Sequence, residues 1–319
     1  MKKILITGFS GFVSHHFLDL LENNGISANI KGIDLNPPQF EKDYFKHIKY
    51  SFETIDLLNR DKVESTIAGF RPDFILHLAF FSSVAYSWKE PIKSFQNNTN
   101  IFLNLIESVR CLSVPSRILS IGSSEEYGNV EVAHLPLTED QNLMPVSPYA
   151  VSRVSQEHLS RIYANGYGLD IIMTRSFNHI GPHQRDIFVV PSIVKQLVEI
   201  SKKGKTGELM VGDIDIIRDF TDVRDVASAY YLLLNYGKSG EIYNVCSGKG
   251  FSIREIIEKI RNILNIEVTI RRKQDLIRPT ENRVIIGSNQ KICNHLRWKL
   301  KYNLDQSLKD MIVFWKTQI

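Results

Sequence analysis

The chain has 319 residues, 43% of them apolar and 23% charged, with a net charge of +4 at neutral pH. That length suggests about two domains, and no apolar run approaches the roughly 18 residues of a membrane span, so the composition excludes an integral membrane protein of the helical kind. The densest basic stretches, Lys202–Lys205 and Arg271–Lys273, are short and lack interleaved aromatics, and they read as solvated surface rather than a nucleic-acid contact.

The opening MKKILITGFSGF carries basic residues and an apolar stretch, but Gly and Ser interrupt it early and no small-residue cleavage site follows; it reads as a first strand, KILITG. A helix to about Asn24 follows, with Val13, Phe17, Leu20 and Leu21 on one stripe and Gly25 as its stop. IKGID and FILHLAF are further strands, 95–110 a helix, RILSIGS a strand, and Tyr149 to about Asn165 a helix opened by Ser147-Pro148. This alternation predicts an α/β fold, a doubly wound parallel sheet (Rossmann) with helices on both faces.

After DIIMTRSFN the alternation loosens into loops, a helix near Ile193–Ser201 and short segments, with SGEIYNVCSG as one more buried strand. A second, smaller, interleaved substrate domain is expected. The division is 1–177 plus 221–247 for the dinucleotide-binding domain, and 178–220 with 248–319 for the substrate domain, with the ligand in their cleft. Three cysteines, Cys111, Cys246 and Cys293, without C-x-x-C spacing, suggest neither a disulfide framework nor a zinc site, so the cytoplasm is the expected compartment. His179 and His183 flank a Gly-Pro turn, but no histidine spacing resembles a metal site, and loop roles are expected.

Gly8-x-x-Gly11-x-x-Ser14 lies between a strand and a helix, where missing Cβ atoms let a pyrophosphate approach the helix N-terminus. The same glycines also suit an ordinary tight turn, and Ser14 stands where a third Gly or Ala is usual. Asp34 ends the second strand, placed to accept from the ribose hydroxyls of NAD; a strand-end turn in DLNPP is the other reading. Tyr149 and Arg153 lie four apart on one helix face. A phenol ionises near pH 10 and a neighbouring cation lowers that, poising Tyr149 for proton transfer. Ser123 and Ser124 follow the RILSIG strand, where ligands of such sheets bind, and Ser123 can hydrogen-bond the reacting oxygen.

At this point the chain resembles the extended short-chain dehydrogenases/reductases, with Ser123, Tyr149 and Arg153 at the positions of that superfamily's Ser/Thr, Tyr and Lys. Arg for Lys is a departure, because a planar guanidinium does not copy the ammonium's contact with the nicotinamide ribose. GSSEEYG (122–128), SPYAVSR (147–153), RSFNHIGPHQ (175–184), RDFTDVRD (218–225), YNVCSG (243–248) and RPTE (278–281) resemble its GDP-sugar branch, which holds GDP-6-deoxy-4-keto-mannose reductases and GDP-mannose 4,6-dehydratases.

The resemblance implies a substrate clamp. Asn178 touches the sugar-proximal phosphate, Arg218 and Arg278 the diphosphate and Glu281 the nucleotide ribose, although each residue alone also reads as a surface ion-pair partner. Ser82, Ser83, Ser124 and Val189 are expected to line the sugar pocket, with Asn98 near Tyr149. Ser10, Phe12, Val13, Leu78 and Ala79 join Gly8, Gly11, Asp34, Tyr149 and Arg153 around the cofactor. Helices 95–110 and 149–165 are where relatives pair, so a homodimer or homotetramer is expected.

The resulting expectation is an NAD-dependent oxidoreductase moving hydride at C4 of a GDP-linked manno-type sugar, hexose or heptose, for surface-polysaccharide precursors. Glu125 stands where the dehydratases hold the base for the C5 proton, which keeps a 4,6-dehydratase open as the alternative. A 4-epimerase and a non-catalytic NAD sensor are lesser rivals. Asp34 tilts the expected direction toward oxidation of the alcohol.

Overall fold

The computed structural model describes residues 1–38, 44–204, 206–276, 280 and 282–319. In chain order the first half runs β1 (Lys2–Thr7), α1 (Phe12–Asn23), β2 (Ala28–Asp34), β3 (Ile48–Thr54), α2 (Arg60–Phe70), β4 (Phe74–His77), α3 (Val84–Lys89), α4 (Pro91–Cys111) and β5 (Arg117–Ser123). A 3-10 turn over Ser124–Tyr127 leads to α5 (Pro148–Tyr167) and β6 (Asp170–Ser176). Then come β7 (Asn178–Ile180), α6 (Val189–Lys203), β8 (Thr206–Val211), β9 (Ile217–Asp222), α7 (Val223–Tyr236) and β10 (Ile242–Val245). The chain closes with β11 (Gly250–Ser252), α8 (Ile253–Leu264), β12 (Glu267–Arg272), β13 (Val284–Ile285), α9 (Gln290–Leu296) and α10 (Leu304–Gln318).

Seven strands form one sheet in the order β10-β6-β5-β4-β1-β2-β3, with every pair parallel. Strand order reverses between β1 and β4, and ligands of doubly wound sheets bind outside the strand ends at that point. Both faces are covered, as a parallel sheet requires. Phe17, Leu18 and Leu21 of α1 pack with Val226, Tyr230 and Leu233 of α7 on one face. Val63 and Ile67 of α2, Phe102 and Leu105 of α4 and Tyr163 of α5 cover the other. β3, α2 and α3 went unread in the sequence. Only Ile48 of β3 is buried, so that edge strand offers no apolar run.

The second part gathers β9 with β7, β11 and β13, a β8–β12 pair, and helices α6, α8 and α10 around a separate core. Ile253, Ile256, Ile257 and Ile260 form the buried stripe of α8 at a helical spacing. The chain returns to the first sheet for α7 and β10, which makes the two parts interleaved. Within 248–319, Ile292 of α9 and Trp298 also pack into the first core beside α7 rather than with the second part.

A histidine cluster joins the parts. His16 of α1 donates from Nε2 to the Pro182 carbonyl (2.9 Å), and the His15 and His183 rings lie 4.4 Å apart, with Phe314 of α10 4.6 Å beyond His183. Burial pushes His16 from the ordinary imidazole value of 6.5 down to about 4, and His15 and His183 are lowered for the same reason. A depressed histidine is neutral in the fold and takes up its proton more readily unfolded. Its contribution is therefore complete above about pH 6.5 and is lost as pH falls toward 4, by about 3 kcal/mol for His16. Chemical unfolding between pH 7.5 and 4 should show this loss in wild type and a shallower decline in His16→Gln. Equal slopes would show that His16 does not carry the linkage.

Candidate active site

Thr7 ends β1, and Gly8 turns the chain at φ +71°. A Cβ on Gly8 would stand 2.7 Å from the Leu78 carbonyl carbon and 2.8 Å from the Ala79 amide nitrogen, so only glycine lets the loop lie against the end of β4. Gly11 is the N-cap of α1 and offers no side-chain cap, which leaves the helix's first amides to a ligand. Ser10 donates its amide to Asp34 Oδ2 (3.0 Å), while the amides of Leu35 (2.7 Å) and Asn36 (3.3 Å) reach Oδ1. Asp34 is thus both a turn residue and a neighbour of the glycine loop. Ser14 is fully buried, and its hydroxyl has no hydrogen-bond partner among the described residues. A cradle closed to any Cβ, an uncapped helix start and a carboxylate beside them fit a dinucleotide.

Ser123 ends β5 next to Ser176 of β6. Tyr149 sits in the first turn of α5, where Pro148 opens the helix and the Ser147 hydroxyl accepts from the Ala150 amide (3.1 Å). The Tyr149 phenol is buried and faces the Ser123 side chain, which favours its ionised form. One turn on, Arg153 has no exposed surface. Its Nη2 donates to the Ile121 carbonyl (2.7 Å) and to Gln156 Oε1, and its guanidinium lies 4.2 Å from the Phe80 ring centroid and 5.9 Å from that of Tyr149. Arg153 Nε and Nη1 have no hydrogen-bond partner among the described residues.

Ser123, Tyr149 and Arg153 therefore converge, but the electrostatic expectation needs correction. Burial outweighs the Arg153 charge and the nearby Ser123 hydroxyl, so the phenol is raised above its ordinary 10, with the charge of Glu125 adding to the rise. Arg153 itself is lowered by burial.

Glu125 is half-buried, gives its amide to Ser123 Oγ (3.2 Å) and bears on the phenol by charge. Ser124 is buried. Ser82 is exposed, whereas Ser83 caps α3 by accepting from the Tyr86 amide (3.1 Å). Asn98 accepts from the Phe81 amide (2.8 Å) and donates to the Phe81 carbonyl (3.3 Å) and Ser152 Oγ (3.2 Å), pinning the loop that carries Phe80. Asn178 and Arg218 stand on the paired strands β7 and β9, with Arg218 buried and donating to the Ile217 carbonyl (2.9 Å). Val189 starts α6 and is exposed. Arg278 and Glu281 lie outside the described residues.

Sequence reasoning missed several groups beneath the site. Phe80 and Gln156 bracket Arg153. Buried His77 bonds Thr7 Oγ1 through Nδ1 (2.8 Å) and is pushed down to about 3 by burial and the Arg153 charge. Glu157 and Arg175 form an interior fork at 2.8 and 3.0 Å. The signal was the α5 period, since 149, 153, 156, 157 and 160 fall on one buried face.

The chain matches a family model described as GDP-mannose 4,6 dehydratase over residues 5–311. It is 33% identical over 318 residues to a GDP-6-deoxy-D-mannose reductase of Pseudomonas aeruginosa, covering 100% of this chain and 98% of that protein. It is 31% identical to a GDP-6-deoxy-D-talose 4-dehydrogenase of Aggregatibacter actinomycetemcomitans, covering 92% and 91%. Among solved structures, RMD from P. aeruginosa complexed with NADPH superposes with a TM-score of 0.86 at 31% identity, covering 100% of both chains. The UDP-glucose 4-epimerase of Thermotoga maritima with UDP-glucose gives 0.87 at 25% identity, covering 99% of each.

The cradle can be tested without any substrate. Gly8→Ala should weaken dinucleotide binding at least about tenfold, or roughly 1.4 kcal/mol, in a fluorescence titration. Gly69→Ala in α2, where a Cβ meets nothing within 4 Å, is the control and should bind normally. Unchanged affinity in Gly8→Ala would remove the loop from the cofactor site.

Proposed function

Because the chain belongs to the GDP-mannose 4,6-dehydratase family of extended short-chain dehydrogenases/reductases, we propose that it exchanges hydride at C4 of a GDP-linked manno-type sugar, hexose or heptose, in surface-polysaccharide precursor synthesis. The observation that carries this reading is the convergence of the buried Tyr149 phenol with Ser123 and the buried Arg153 guanidinium, at the strand ends beside the glycine cradle. The chain is an NAD(P)-dependent sugar-nucleotide oxidoreductase. Gly8, Ser10, Gly11, Phe12, Val13, Asp34, Leu78 and Ala79 would hold the dinucleotide, whose nicotinamide, when bound, exchanges the hydride with C4.

Tyr149 handles the proton of the C4 oxygen, Ser123 orients that oxygen, and Arg153 stabilises the phenolate left when the proton departs. A phenol raised by burial keeps its proton at neutral pH, which supports an acid giving its proton to a ketone oxygen. This favours 4-keto reduction over the alcohol oxidation that Asp34 suggested. Asp34 supports NAD over NADP, since a phosphate about 4 Å from its carboxylate meets like charge worth about 4 kcal/mol at an effective dielectric near 20. The P. aeruginosa structure was obtained with NADPH, so Asp34 is the residue on which the NAD reading turns.

We assign the second part, from β7 to β9 and from β11 onward apart from α9, to the sugar nucleotide. Asn178, Arg218, Arg278 and Glu281 are its proposed clamp, and Ser82, Ser83, Ser124 and Val189 the proposed pocket lining. A homodimer through α4 and α5 is proposed as well, because Ile92 and Phe95 of α4 and Val151 and Ile162 of α5 are exposed apolar residues on that pair of helices. None of the described helices is long and apolar enough to cross a membrane, in keeping with the proposed cytoplasmic location.

Tyr149→Phe should cut turnover about 10²–10⁴-fold with dinucleotide affinity nearly unchanged. Ketone reduction by wild type should stay flat from neutral pH to beyond 10, because the working form is the protonated phenol and its ionisation lies above that value. Wild-type turnover in Tyr149→Phe would remove Tyr149 from the chemistry.

Glu125 keeps the 4,6-dehydratase reading as the second. Incubation with GDP-mannose decides between them by product mass. No loss of water from GDP-mannose, and reduction of a GDP-linked 4-keto sugar by Glu125→Gln within about tenfold of wild type, are expected. Loss of one water, with C5 hydrogen exchange in heavy water, would establish the dehydratase.

A further inference from the structure

The turn after β5 carries a second acid that the mechanism above does not use. Glu126 has no exposed surface, and its Oε1 accepts from the Ser123 amide at 2.5 Å. The Glu125 amide returns to the Ser123 hydroxyl, so the turn holds both the backbone and the side chain of Ser123. Space for the carboxyl comes from Gly122, where a Cβ would stand 2.4 Å from Glu126 Oε1. Facing Glu126 are Glu157 and Arg153 of α5 and Arg175 of β6, the last already committed to Glu157 through its fork.

We propose that Glu126 is a positioning residue for the reaction at Tyr149, which, lodged between the Ser123 amide and the Glu157–Arg175 pair, fixes the Ser123 hydroxyl against the phenol. The proposal rests on the oxidoreductase reading only for the turnover half of its test.

Its charge state follows from the surroundings. The Arg175 fork keeps Glu157 ionised below the usual carboxylate range. Burial and that neighbouring negative charge then hold the proton on Glu126, well above the usual range. A neutral carboxyl still accepts from the Ser123 amide. It also spares Tyr149 a buried negative charge, which would push the phenol further up. Glutamine keeps that shape and neutrality, whereas leucine keeps the bulk and loses the acceptor.

The test compares wild type, Glu126→Gln and Glu126→Leu. Infrared spectra at neutral pH should show a protonated side-chain carboxyl stretch in wild type that disappears in Glu126→Gln. Ultraviolet titration, with Tyr149→Phe as the reference, should place Tyr149 ionisation alike in wild type and Glu126→Gln. With the GDP-sugar, Glu126→Gln should keep kcat within about threefold, and Glu126→Leu should lose about tenfold or more in kcat with little change in KM. No carboxyl band, a phenol that ionises more easily in Glu126→Gln, a glutamine variant as impaired as leucine, or a leucine variant with wild-type kcat would each overturn the proposal. If Glu126→Leu does not fold, the band and the glutamine variant still decide. If wild type turns over no GDP-sugar, the functional reading fails, while the two spectroscopic results still judge Glu126.

Discussion

A guanidinium with no solvent exposure, one helical turn from the Tyr149 phenol, is the constraint around which the rest of the site is arranged. Removing such an ion from water costs several kcal/mol unless neighbours replace the lost hydration. Here the Ile121 carbonyl and Gln156 accept from Arg153 Nη2, and the Phe80 ring face covers the cation. Each of those neighbours is itself held. Gln156 donates to Ser120 Oγ (2.8 Å), and Asn98 clamps the backbone at Phe81 beside Phe80. The side chains that look structural on α4, α5 and β5 are therefore the support of one charge.

That arrangement explains how arginine can stand where the superfamily has lysine. An ammonium is a compact point charge that demands donors' partners in three directions, whereas a planar guanidinium can present one edge to carbonyl oxygens and a face to an aromatic ring. Phe80 supplies that face. The geometry leaves Nε and Nη1 as the edges without partners among the described residues, so the residue can brace the sheet and still have donors in reserve. The charge does not leave the phenol easy to ionise, because the desolvation that makes the charge strong also opposes a phenolate.

Much of this was legible in the sequence, and for identifiable reasons. β1, β2, β4, β5 and β6 are short apolar runs of buried parallel strands, and Gly8, Ser123, Tyr149 and Arg153 stand at their ends or one turn into the following helix. Residues at strand ends can be placed from the chain order alone. The edge strand β3 could not be read because its solvent-facing residues carry no apolar run. The partners of Arg153 come from β5, α5 and the loop after β4, and no local pattern tells which buried polar residues meet across three elements. The direction of the Tyr149 shift was misjudged for a related reason: a neighbouring cation is visible in sequence, and the depth of burial is not.

The relation between the two parts follows from buried carboxylates rather than from apolar packing alone. Asp219 of β9 accepts from the Ser247 amide (2.8 Å), the Ser247 hydroxyl (2.6 Å) and the Gly248 amide (2.8 Å), which ties the second part's strands to the loop leaving β10 of the first sheet. Asp225 of α7 accepts from the amides of Lys301 (3.0 Å) and Tyr302 (3.1 Å), just before α10. Burial raises both carboxyls, yet these amides oppose the rise. Leaving such a buried acceptor without its donors costs more than exposing an equal area of apolar surface, because its full desolvation penalty returns. Sliding one part over the other would break these bonds together. The strands that carry Asn178 and Arg218 are thus held at a fixed register to the sheet that ends in Ser123.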